Sequence, residues 1–143
     1  MTPVSDFVTR IYAVVSFKLR FPGWARNQPV PGTLYSYVDR SAKQVALAVN
    51  GKNVSAVPDK LGYVTIDRTW APGDVIALDL PMPVRRIVSN DKVIANSNRV
   101  ALQRGPVVYA AEWPDNPNGK VRNIVLPDRN TLTAEFRKDM LNG

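Results

Sequence analysis

The sequence contains neither cysteine nor histidine among its 143 residues. The first absence excludes disulfides, a thiolate nucleophile and thiolate metal ligands. The second removes the usual nitrogen ligand of zinc and the commonest general base. No cofactor is expected, and no tightly bound zinc, because carboxylates alone favour harder ions. Long apolar runs are missing too. The apolar stretch over residues 7–15 is interrupted by Arg10, and nothing approaches the roughly 18 apolar residues of a membrane span. Neither the clean apolar core nor the small-residue cleavage site of a signal peptide is evident. No membrane partner is expected, and the compartment stays open.

What is present suits an all-β protein. Twelve prolines and eight glycines fall between short apolar runs, too often for a helical chain. A hydrophobic content of 45% and a length of 143 residues allow one domain with a real core. The formal charge is +7, with nine basic against four acidic residues in 1–70 and ten against eight in 71–143. The basic residues stand mostly singly, alternating with apolar ones as at Lys18 and Arg20, with Arg85 and Arg86 an adjacent pair. That is the pattern of a solvated strand face, so no nucleic-acid partner is expected.

The most legible stretch is residues 62–86. Val64 and Ile66 alternate with Tyr63, Thr65 and Asp67, Ile76, Leu78, Leu80, Met82 and Val84 alternate with Ala77, Asp79 and Pro81, and Ala71-Pro72-Gly73-Asp74 between them can reverse the chain. The reading is an antiparallel hairpin. Upstream, Ala13, Val15, Phe17, Leu19 and Phe21 mark one face of a half-buried strand ended by Pro22-Gly23. Val45, Leu47 and Val49 mark another, and Asn50-Gly51 signals a two-residue turn returning through residues 54–57. Residues 87–88 form a short apolar run, and 92–95 read as a brief edge strand. Residues 107–111, continuously apolar, read as a central strand covered on both faces, with Gly105-Pro106 at a bulge or strand start. Residues 121–126 read as a last strand. The expectation is an antiparallel β-sandwich of jelly-roll type, about eight strands with little helix.

Four motifs, LRFPGWA (19–25), VNG (49–51), GYVTIDRTWAPGDVIALDLPM (62–82) and RVALQRGPVVYAAE (99–112), recur in this order in one family. They resemble the β-sandwich region that follows the catalytic barrel in β-L-arabinofuranosidases of glycoside hydrolase family 127. The resemblance covers residues 17–113, leaving 1–16 as an atypical N-terminal extension and 114–143 as a final strand and the truncated start of a following segment. It implies a parent enzyme with an (α/α)6 barrel, a cysteine nucleophile, a zinc site built largely from cysteines and a glutamate, and a further glutamate as acid/base. None of these can be carried onto this chain, which has no cysteine.

Asp67, Asp74, Asp79 and Glu112 are the carboxylates available for glycoside chemistry, but carboxylates alternating with apolar residues ordinarily form a wet strand face. No autonomous activity is expected. Two readings stay open: a non-catalytic sandwich partnered by the catalytic barrel, or an independent module binding arabinose-containing glycan. Trp24, Tyr35, Tyr37, Arg104 and Trp113 are the candidate contact residues for either. Exposed, coplanar rings favour the module and buried rings the scaffold. A sheet deprived of its partner is also expected to self-associate, through the loop around Trp24 or residues 124–132.

Overall fold

The computed structural model describes residues 14–29, 31–116 and 119–139. The sequence readings on residues 1–13 lie outside them. The described residues hold nine strands: β1 (Val14–Arg20), β2 (Tyr35–Tyr37), β3 (Ala46–Val49), β4 (Lys52–Asn53), β5 (Tyr63–Thr69), β6 (Ile76–Asp79), β7 (Val84–Ser89), β8 (Ala101–Arg104) and β9 (Val107–Tyr109). Every pairing is antiparallel, and the only helical segments among the described residues are three short 3-10 turns. The fold class is all-β, consistent with a sandwich.

The chain packs as two compact units. The first takes residues up to 22 and 45–80. Its two-stranded sheet pairs β1 with β5 over seven residues, from Val14 with Thr69 to Arg20 with Tyr63, and its three-stranded sheet runs β4-β3-β6. Phe21, Val64 and Ile66 from the first sheet region meet Leu47 and Val49 from the second in one buried cluster. These residues sit two apart on strands whose successive side chains point to opposite faces, so a single face of each sheet supplies the core.

The turn over residues 71–74 forms as its sequence suggests. Gly73 takes a positive φ of 91°, and the Asp74 N–H donates to the Ala71 carbonyl at 3.1 Å. The expected hairpin does not follow, because β5 pairs with β1 and β6 with β3. Asn50 is what redirects the chain. Its backbone N–H donates to the Val75 carbonyl (2.9 Å), its Oδ1 accepts from the Val75 N–H (2.9 Å), and its Nδ2 donates to Asp74 Oδ1 (2.7 Å). This delivers β6 to β3 rather than back to β5. The Asn50-Gly51 turn is present, with both residues at positive φ, but its return strand is Lys52–Asn53 and not 54–57.

The second unit takes residues 23–44 and those from 81 on, built on a four-stranded sheet in the order β2-β7-β8-β9. Pro81 and Pro83 separate β6 from β7, so the apolar alternation running through residues 76–84 is cut between two sheets. The short run at 87–88 is part of β7, a central strand of six residues. Residues 107–111 are not a covered central strand: β9 lies at the sheet edge, and Val107, Val108 and Tyr109 are all exposed. Gly105-Pro106 is neither bulge nor strand start but the two-residue loop of the β8-β9 hairpin, where Arg104 pairs with Val107. Gly105 is buried there at φ +57°, and an added Cβ would lie 2.5 Å from Met82 Sδ. The edge strand expected at 92–95 is replaced by a 3-10 turn over Ile94–Asn96, and the strand expected at 121–126 by one over Val121–Asn123.

Candidate functional site

The side chains of the second unit divide between the two faces of its sheet, and the register sets the division. Tyr37 pairs with Ile87, and Arg85 with Gln103, so Tyr35, Tyr37, Arg85 and Gln103 share one face. Arg86 and Arg104 fall on the other, where Arg86 Nη2 donates to the Asn130 carbonyl at 2.6 Å.

On the first face the groups interlock. The Arg85 guanidinium carbon lies 3.4 Å from the Tyr37 ring centre, and Arg85 Nη2 donates to the Asp39 carbonyl. Tyr37 Oη donates to Gln103 Oε1 (2.8 Å), and Gln103 Nε2 donates to the Gly105 carbonyl (2.8 Å). Burial pushes the Tyr37 hydroxyl above the ordinary phenol range, against the pull of the Arg85 charge. Burial likewise holds Arg85 below the usual guanidinium value, while Tyr37 and Asp39 act in the opposite sense. These groups line a cavity of about 10 Å³, together with Trp24, Lys43 and the prolines at 81 and 83.

Of the five candidate contact residues, Trp24 and Tyr37 come together, both half-buried on this cavity. Tyr35 stands on the same face but is exposed. Arg104 lies on the opposite face, half-buried, and Trp113 is 58% exposed and does not line this cavity. Sequence reasoning missed Arg85 and Gln103. The adjacent pair Arg85-Arg86 was visible, but its placement on opposite faces of a central strand depends on the register.

Another cavity of the second unit is larger, about 660 Å³. It is lined by Val88, Asn90, Asp91, Val93 and Arg99 among others, and by Leu126 and Asp128 from the C-terminal segment.

Two of the four candidate carboxylates are engaged by neighbouring side chains. Asp67 accepts from Ser16 Oγ on the neighbouring strand. Asp74 is engaged by Asn50, by the Ala71 N–H (3.0 Å) and by Arg68, whose Nη2 lies 3.3 Å from its Oδ2. The Ala71 N–H, then Asn50, then Arg68 hold its carboxyl below the ordinary range. Asp79 ends β6, whereas Glu112 belongs to the second unit. Among the described residues no three Asp, Glu, Cys or His side chains gather in a way that could hold a metal ion. The cysteine-rich zinc site that the family resemblance implies has no counterpart in this donor set. No helix among the described residues is long and apolar enough to cross a membrane.

Comparison with known proteins bears on the whole chain. Residues 5–82 match the family model "Beta-L-arabinofuranosidase, GH127 middle domain", and residues 84–137 match "Glycoside hydrolase family 127 C-terminal domain". The segment 23–44 lies within the middle-domain match but contributes β2 to the sheet of the second unit. A non-reducing end β-L-arabinofuranosidase of Bifidobacterium longum is 36% identical over 135 residues, covering 90% of this chain and 17% of that protein. A solved GH127 β-L-arabinofuranosidase from Geobacillus stearothermophilus T6 is 36% identical with a TM-score of 0.73, over 91% of this chain and 18% of that one. A solved GH127 β-arabinofuranosidase is 44% identical with a TM-score of 0.68, over 73% and 16%. The chain thus spans less than a fifth of the length of these relatives. Two consecutive family matches, in the order in which the domains are named, establish that the chain belongs to glycoside hydrolase family 127.

Proposed function

We propose that the chain is a non-catalytic β-sandwich accessory region of a β-L-arabinofuranosidase-like glycoside hydrolase, and that it supports that enzyme's (α/α)6 catalytic barrel. The observation that carries this reading is the pair of consecutive matches to the middle and C-terminal domains. The lack of cysteine and histidine supports it from the side of chemistry. A glycan-binding module would need aromatic rings gathered on one open face, whereas Trp24 and Tyr37 line a small cavity and Trp113 stands apart from it.

A graft tests the reading. In the Geobacillus enzyme, replacing the matching segment with this chain is expected to preserve hydrolysis of an aryl β-L-arabinofuranoside, while deleting the segment lowers the thermal stability of the remaining barrel. The chain alone is expected to show no turnover. Turnover by the chain alone, abolished by Asp67→Asn, Asp74→Asn, Asp79→Asn or Glu112→Gln, would overturn the proposal.

The same reading carries a proposal about partners. A sheet that supports another domain keeps an edge or face for it. Val107 and Val108 on the edge strand, with Ile124 and Val125 beyond, are exposed apolar groups of that kind. In isolation the chain is expected to self-associate through them, seen as a concentration-dependent sedimentation coefficient. A strictly monomeric chain argues against it.

A further inference from the structure

Arg85 is incompletely satisfied by its neighbours. Its Nη2 has the Asp39 carbonyl and its planar face has the Tyr37 ring, but Nη1 is buried with no hydrogen-bond partner among the described residues. The nearby acceptors each already hold one donor. Gln103 Oε1 accepts from Tyr37, the Gly105 carbonyl from Gln103 and the Lys43 carbonyl from Ser41 Oγ. The cavity that Arg85 lines contains a second cation, Lys43, and no Asp or Glu. Neither ion pair of the described residues includes Arg85 or Lys43. Arg85 is half-buried and the Asp39 charge acts on it in the favourable sense, but its buried Nη1 N–H still lacks an acceptor, which a carboxylate supplies together with a charge for Lys43.

We propose that Arg85 and Lys43 form a receptor for one carboxylate, the tip of an aspartate or glutamate side chain presented by another polypeptide segment. The size of the cavity sets the limit: about 10 Å³ accommodates a single oxygen atom. A carboxylate reaches in with one oxygen, accepts from Arg85 Nη1 and leaves its second oxygen outside for the exposed Lys43 ammonium. Tyr37 has a positioning role, since its ring fixes the plane of the guanidinium from below. A water would fill the same space but bring no negative charge to Lys43. The inference stands on the geometry of this unit and not on the accessory reading, so either can fail without the other.

The test uses acetate as a stand-in for the acidic side chain. The 15N-labelled chain is titrated at neutral pH with sodium acetate or, at equal ionic strength, sodium chloride, and the Arg85 side-chain and Trp24 indole N–H resonances are followed. Acetate is expected to give a saturable shift that chloride does not. Arg85→Lys keeps the charge but loses the fork and abolishes the response. Lys43 is exposed, so Lys43→Gln leaves the fold intact and raises the half-saturation point about two- to fivefold, the worth of one surface charge. A chain that does not respond, responds equally to chloride or is indifferent to Lys43→Gln overturns the proposal. So does a bound water, seen by magnetisation transfer to Arg85, that acetate does not displace.

Discussion

The first unit closes Phe21, Leu47, Val49, Val64 and Ile66 between two sheets, whereas in the second no side chain among the described residues is fully buried. The two have similar strand chemistry and differ in how it is used. In the first, a second sheet covers the apolar face, and burial at about 25 cal/mol per Å² supplies the stability. In the second, a single sheet is held by its ladder, by Arg85 on Tyr37 and by the Tyr37-Gln103-Gly105 chain of hydrogen bonds. A lone sheet of this kind gains by being covered. Its strands β7 and β8 carry half-buried side chains on both faces.

The difference should appear most strongly on truncating the first core. Phe21→Ala is expected to destabilise by about 3–5 kcal/mol, because a fully enclosed ring leaves a cavity as well as losing its transfer energy. Val108→Ala on the open edge strand should change stability by no more than about 0.5 kcal/mol. Urea unfolding followed by tryptophan emission checks both. Trp70 reports the first unit, and Trp24 and Trp113 the second, with single Trp→Phe variants to separate them. Equal effects from the two substitutions would erase the comparison.

The second unit depends instead on special backbone positions. Gly105→Ala forces an alanine to φ +57° and brings its Cβ against Met82 Sδ, so a loss of about 1–3 kcal/mol is expected. Adding Met82→Ala should recover the part due to the clash and leave the part due to φ. Full recovery in the double variant would show that backbone conformation contributes nothing there. Tyr37→Phe tests the polar chain and should cost about 0.5–1.5 kcal/mol, the usual net worth of one hydrogen bond. It should also release the Gln103 side chain, visible in its amide resonances.

The sequence was easier to read in the first unit than in the second, and the reason is physical. Alternation identifies the buried face of a strand wherever one face is covered, so Leu47, Val49, Val64 and Ile66 were legible as core residues. It says nothing about which strand lies alongside. The turn at Ala71–Asp74 was therefore found, while its hairpin was not, because Asn50 hands Val75 to β3. In the second unit the apolar run Val107-Val108-Tyr109 mimics a central strand, yet nothing follows it across the ladder. The candidate site was only half legible. Trp24 and Tyr37 were visible as aromatics, but pairing Tyr37 with Arg85 required the register of two strands far apart in sequence.

The smallest effect at neutral pH is expected at the clasp that steers β6. The Asp74 carboxylate accepts from Asn50 and the Ala71 N–H and pairs with Arg68, which together hold its pKa below the ordinary value of 3.8. A carboxyl depressed in the folded state contributes stability that is fully present above its unfolded value. That contribution is lost as pH falls through the depressed folded value. Asp74→Asn removes it at every pH. The gap in melting temperature between the parent chain and the variant should thus be constant near neutrality, begin to close below about pH 4 and vanish at lower pH. Asp59 is depressed as well, chiefly by the Tyr63 N–H with help from those of Leu61 and Gly62, so the variant should keep some acid sensitivity of its own. Both carboxylates belong to the first unit, and indole emission from Trp70 should therefore follow this acid transition while that from Trp113 lags behind it. A gap that widens on acidification would mean that Asp74 is protonated in the folded chain, and that Asn50 alone directs β6 to β3.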